Sequence, residues 1–237
     1  MNDKKLLEIW KKYIDVPIYR VVSSIYYKDI LKNGLNPDKN PFKKIKPTLF
    51  KLFDIIFKLE KKGFVMRLKW GVKEVTGSYA AKTFKVDLTK NFIDFAPNKE
   101  SVDFYMQIYG GALTRNIKRL TKRLKEGNPK LSKKEWRTIN YLDKWAEERM
   151  CENKAIYVLG SSTSFENALL QRLGLDKRKI KKEYNILYLP SPFGSFEHFK
   201  KIVSKYSLRL YLKLFKNQKF YLRVRSKIPS SEIKVLI

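Results

Sequence analysis

Between Lys4 and Ile14 the apolar residues Leu6, Leu7, Trp10 and Ile14 face away from Lys5, Glu8, Lys11 and Lys12, the pattern of an amphipathic helix. The period then shortens. Ile18 to Val22 is β-rich, Ser23 and Ser24 stand where a cap belongs, and Ile25 to Lys32 is apolar at helical spacing until Asn33-Gly34 stops it. Asn36 to Pro47 reads as a loop. Thr48 to Lys62 is apolar on most faces, which predicts a central helix ended by Gly63. Phe64 to Val72 and Thr83 to Leu88 alternate as strands, with a long hairpin loop around Gly77-Ser78-Tyr79 between them. Phe92 to Phe95 predicts another short strand.

From Lys99 onward a helix with Val102, Phe104, Tyr105, Ile108 and Tyr109 on its apolar side meets Gly110-Gly111. Each glycine costs about 1 kcal/mol in a helix interior, so the pair breaks or kinks it. Beyond lies an apolar stripe of Leu113, Ile117, Leu120 and Leu124, and Ser132 with Glu135 forms a capping box that opens a helix to about Met150. Ala155 to Leu159 reads as a strand that enters Gly160-Ser-Ser-Thr-Ser and a helix carrying Phe165, Ala168, Leu169 and Leu173. After a charged loop over 176–183, Ile186 to Leu189 reads as a strand and Phe196 to Tyr206 as a helix. Leu208 to Phe215 and Phe220 to Arg225 then read as strands turned by Asn217-Gln218, and Ile233 to Ile237 adds a last one.

Strands in the first and last thirds with helices between them predict an α+β fold whose sheet closes from both chain ends. At 237 residues one domain suffices and would bury roughly 70% of its unfolded surface; the weak boundary signal falls near Gly127 to Lys130.

Charge changes the picture most. With 52 Lys+Arg against 23 Asp+Glu the formal net charge is +29, and such a surface finds its natural counterpart in a phosphate backbone or an anionic membrane face, nucleic acid being the favoured one. The densest local cluster is Arg115, Lys118, Arg119, Lys122, Arg123 and Lys125, flanking the apolar stripe of one helix. Those six residues are the expected nucleic-acid contacts, with RNA or another single strand favoured because no zinc-finger, bZIP or RRM signature is present. One cysteine and one histidine, Cys151 and His198, leave no metal cluster of nitrogen and sulfur ligands and no disulfide. No stretch approaches the roughly 20 apolar residues that span a bilayer, and the N-terminus lacks a secretory pattern, so a cytoplasmic protein is expected.

Chemistry is written faintly. Arg20 lies inside an apolar strand, where a guanidinium needs an anion or water, which marks it as either a ligand contact or an edge residue. The Gly160 to Ser164 loop reads as a helix cap, Thr163 with Glu166, or as a phosphate cradle, although it lacks the ending of a P-loop. Glu197 precedes His198 in a turn rich in proline and phenylalanine.

Ile18-Tyr19-Arg20, then Ser-Ser, then Asp29-Ile-Leu-Lys-Asn-Gly-Leu-Asn-Pro37, resembles the opening of the ADP-ribosyltransferase-like superfamily. Phe220 to Val224 and Ile228-Pro-Ser-Ser-Glu-Ile233 resemble its last strands. The resemblance implies that Arg20 contacts NAD, that an aromatic or hydroxyl position among Ser78, Tyr79, Tyr105 and Tyr109 assists it, and that the chain is an NAD-dependent transferase acting on nucleic acid or protein. The family's catalytic glutamate is implied shortly before the late strand, where this chain has Asn217-Gln218; Glu197 stands earlier and Glu232 later.

Overall fold

The valines and isoleucine of Pro17–Ser23 (β1) pair antiparallel along their whole length with Asn153–Leu159 (β5), from Pro17 opposite Leu159 to Ser23 opposite Asn153. Lys234–Val235 (β9) adds to the far side of β5, giving the order β1-β5-β9. A second sheet runs β4-β8-β6-β7, from Ile93–Phe95, Phe220–Val224, Ala168–Arg172 and Leu189–Pro190. Tyr19 and Ala96 exchange both backbone hydrogen bonds at 2.8 Å, so β1 stitches the two sheets together. The fold is a single-domain α+β arrangement, seen in a computed structural model that describes residues 2–70, 73–89, 91–172, 189–206, 208–209, 212 and 220–236.

Helices cover the sheets and build a second core. Asp3–Ile14 (α1), Ser24–Asn33 (α2) and Phe196–Lys205 (which we number α8) pack on the sheets, burying Ile14, Ile30, Phe199 and Ile202 in the same cluster as Ile18, Phe95, Ile156 and Leu222. The other cluster joins Lys46–Lys61 (α3), Gly77–Thr89 (α4), Gly111–Gly127 (α6) and Lys133–Glu147 (α7) through Leu49, Ile56, Ala81, Ile117, Leu120 and Leu142. Lys99–Met106 (α5) precedes it, with Asn98 capping the Ser101 N–H. The apolar α3 lies at the centre of this helical part, as its pattern requires. The boundary signal near Gly127 falls between α6 and α7, whose buried residues share this cluster.

Several expected strands are helical or shifted. Thr83 to Leu88 belongs to α4, because Ala80, Ala81, Phe84 and Leu88 bury one helical face where the alternation of Phe84, Val86 and Leu88 suggested a strand. The hairpin is instead Arg67–Trp70 (β2) with Lys73–Thr76 (β3), and Gly77-Ser78-Tyr79 opens α4: the Ser78 N–H donates to Glu60 and the Tyr79 N–H to Thr76 Oγ1. After Gly160 the helix expected as far as Leu173 is instead a 3₁₀ turn, Thr163–Asn167, followed by strand β6, Ala168–Arg172, held by full pairing with β8. Leu208, Arg209 and Leu212 are helical where a strand was expected. The charged loop over 176–183, the strand from Ile186 and the turn at Asn217-Gln218 lie outside the described residues.

The chain ends meet through backbone. Leu35 and Ile228 exchange both hydrogen bonds at 2.9 Å, directly after Gly34 at φ +78°. A Cβ on Gly34 would stand 2.2 Å from the Ile228 carbonyl oxygen, so neither the turn nor the approach admits a side chain. Gly110, at φ +69°, is similarly pressed against the Arg149 carbonyl and donates its N–H to Cys151 O at 2.7 Å, which is why the helix breaks there. The capping box at Ser132 forms as predicted, and Lys58 hydrogen-bonds Glu135 at 2.8 Å.

Gly34→Ala is expected to cost about 2 kcal/mol or more, lowering Tm by about 4–8 °C for a chain of this size, as read by thermal melting. The Glu135 carboxyl is held down at about 2, from 4.5, by Lys58 first and then by the backbone and hydroxyl of Ser132. A carboxyl depressed in the folded state stabilises above its unfolded pKa, so this contribution is complete above pH 4.5 and is lost as pH falls toward 2. Glu135→Gln should flatten that part of the Tm-against-pH curve.

Candidate functional site

The six cations expected to hold nucleic acid do lie on α6, but most of them face carboxylates. Lys118 is paired with Asp143 at 3.0 Å and with Glu147, Lys125 with Asp143 at 2.5 Å, Arg123 with Glu126 at 3.2 Å and Lys122 with Glu126 at 3.7 Å. Asp143 also accepts from the buried Thr121 hydroxyl at 2.8 Å. Burial pushes the Asp143 carboxyl up, and the bonds from Lys125, Lys118 and Thr121 together outweigh it, leaving it below its ordinary value. These contacts clamp α6 to α7. Arg119 donates to the Lys69 carbonyl at 3.0 Å, and Arg115 and Arg119 have no carboxylate partner among the described residues.

A basic surface less opposed by acids lies on α3 and α4, and the sequence reading passed it over. Lys46 and Lys85 both stand over the Phe50 ring, 5.6 and 5.2 Å from its centre. Lys46, Lys51, Lys61, Lys62, Lys82 and Lys85 are paired with no carboxylate among the described residues. Helical spacing places Phe50 and Phe57 on one side of α3, with Lys46, Lys58 and Lys61 near them. Its sequence signal is phenylalanines interspersed with lysines along α3, at a lower density of cations than on α6.

Arg20 points inward, to the seam between the two sheets. Its Nη1 donates to the Asp94 carbonyl at 2.8 Å, and its Nε, buried, has no hydrogen-bond partner. The Asp94 side chain is ion-paired with Arg223 Nε at 3.1 Å, across the β4–β8 register that sets the two residues opposite one another. Arg223 also lies over the Phe92 ring at 4.2 Å. Tyr105, from α5, joins the cluster: burial and then its hydrogen bond with Tyr221 raise its pKa, with Asp94 adding to the effect. Burial likewise pushes the Arg20 pKa down, against the pull of Asp94. Two guanidiniums thus meet at Asp94, Arg223 on its carboxylate and Arg20 on its backbone carbonyl, where the Arg223 side chain is 15% and the Asp94 side chain 42% exposed. Asp94 and Arg223 carried the same signal as Arg20, a charge inside a short apolar strand, and their partnership needed the register.

The remaining candidates separate from this cluster. Tyr79 is exposed on α4, in the helical part. Glu197 is exposed in the first turn of α8 and pairs with Lys200 at 2.8 Å, while His198 Nε2 lies 3.0 Å from the Ser191 carbonyl. Glu232 accepts hydroxyls from Ser162, from Thr163 at 3.2 Å and from Ser164 at 2.5 Å. An internal carboxylate therefore occupies the hydroxyls that a phosphate would use, and the loop's cap is Ser162 on the Ser164 N–H, in place of the expected Thr163 with Glu166.

Among the described residues no group of three or more His, Cys, Asp or Glu could hold a metal, and no helix is long and apolar enough to cross a membrane. No family model, no curated protein and no solved structure matches this chain.

Proposed function

We propose that this is a nucleic-acid-binding protein of the cytoplasm that holds RNA or another single strand on the α3–α4 face. What supports the reading is the placement of Lys46 and Lys85 on one aromatic ring with no carboxylate partner among the described residues, in a chain whose formal charge is +29. Two ammonium groups drawn to one ring repel each other, and a phosphate between them relieves that repulsion. The clamp between α6 and α7 engages Lys118 and Lys125, and Glu126 on α6 itself engages Lys122 and Arg123, so α6 contributes mainly through Arg115 and Arg119.

A second reading concerns the seam between the sheets. With Arg223 on the Asp94 carboxylate and Arg20 on the Asp94 backbone carbonyl, the cluster holds positive charge that a nucleotide phosphate would offset, which favours NAD, or a related nucleotide, as a ligand at Arg20. The carboxylate found in that cluster, Asp94, is engaged by Arg223, an arrangement that suits binding better than ADP-ribose transfer.

Binding of a labelled oligonucleotide is expected to weaken on the order of 10³-fold between 50 and 200 mM salt. Lys46→Glu with Lys85→Glu should weaken it at least tenfold and lower the salt slope by about two, more than neutralising Lys122 and Arg123 does. Binding that stays flat with salt sets the reading aside. For the seam, NAD at 100 times its Kd should stabilise the protein by about 2.7 kcal/mol, visible as a rise in Tm that Arg20→Met abolishes. No rise with NAD discards the second reading, and turnover of labelled NAD would establish an enzyme.

A further inference from the structure

Along α3 the aromatic residues nearest the lysines are Phe50 and Phe57, seven residues apart and therefore on one side of the helix, about 10 Å apart along its axis. Both are half-buried, resting on the helical core with part of each ring toward solvent. Phe57 lines an open groove of about 350 Å³ along α3 together with Asp54, Lys58, Lys61 and Lys62. That volume is at the small end for a ligand site and suits one nucleobase with its sugar. Lys58 is anchored by Glu135 at 2.8 Å, whereas Lys61 and Lys62 have no carboxylate partner among the described residues. Asp54, exposed and likewise without a partner there, repels phosphate and accepts N–H or O–H groups from a base or sugar.

We infer that the α3 face selects single-stranded nucleic acid, stacking one base on Phe57 while Lys61 and Lys62 hold the adjoining phosphates, and that Phe50 with Lys46 and Lys85 serves a neighbouring nucleotide in the same way. The inference rests on the nucleic-acid reading and adds the strandedness of the ligand. A duplex keeps its bases stacked on each other and offers the groove only phosphates, while a single strand can turn a base face onto an aromatic ring. Asp54 orients the strand: phosphates are pushed toward the lysines and the base edge toward the carboxylate.

The test is fluorescence anisotropy of the full chain with a labelled single strand, as RNA and as DNA, and with a hairpin duplex carrying the same number of phosphates. Phe57→Leu should weaken single-strand binding roughly tenfold, leave duplex binding and the salt slope unchanged, and abolish quenching of a 2-aminopurine placed in the strand. Phe57→Tyr keeps the ring and should retain single-strand binding, which separates stacking from any loss of fold; melting curves of both variants report the fold directly. Equal losses for strand and duplex, or no loss with Phe57→Leu, overturn the inference while leaving nucleic-acid binding in place. Failure of the unaltered protein to bind either probe overturns the nucleic-acid reading itself.

Discussion

Strand β1 is the element on which the sheet layer depends. One side pairs with β5 over seven residues, and Tyr19 reaches Ala96 on the other, so β1 belongs to one sheet while holding the edge of the second. That double engagement fixes where Arg20 lies. With Tyr19 tied to Ala96, Arg20 reaches the Asp94 carbonyl two residues back, and the charge inside an apolar strand ends at the seam and not at the surface. The pairing of Leu35 with Ile228 performs the same service for the chain ends, and Gly34 is the residue that allows it.

The stretch that ends at Leu35 and the C-terminal stretch that begins at Ile228 are thus in direct contact with each other. Asn33-Gly34-Leu35 needs a glycine because Ile228 passes within van der Waals reach, and Glu232 fastens the same tail to the Ser162 to Ser164 loop. Mutual packing accounts for those residues physically, whatever ligand the seam accepts. Arg20, Arg223 and Tyr105 are different, because packing alone gives no reason to bring two guanidiniums to one aspartate, one on its carboxylate and one on its backbone carbonyl.

Excess positive charge sets the second constraint. A chain with 29 more cations than anions cannot neutralise itself, and its acids are placed where they hold structure: Asp143 and Glu147 between α6 and α7, Glu135 at a cap, Glu232 at the tail. The cations left over are those remote from these anchors. On α3 and α4 they include Lys46 and Lys85, which stand over the Phe50 ring, and most of them have no carboxylate partner among the described residues, whereas four of the six cations on α6 do.

Local spacing alone determined α1, β1, α2, α3, α6 and α7, since each repeats one period for long enough to bury a face and several carry their own caps or glycine stops. It also marked the break at Gly110-Gly111 and the inward position of Ile117, Leu120 and Leu124. Short runs were not settled that way. Thr83 to Leu88 and Ala168 to Arg172 fit either period, and each took the form its neighbours could satisfy, a helix against α3 in one case and a strand hydrogen-bonded to β8 in the other. Arg20 could be singled out from the sequence because a charge in an apolar strand is a local anomaly. Its companions Asp94 and Arg223, and the loss of Lys118 and Lys125 to Asp143 and Glu147, follow from register and helix pairing between distant segments, which only the tertiary structure brings together.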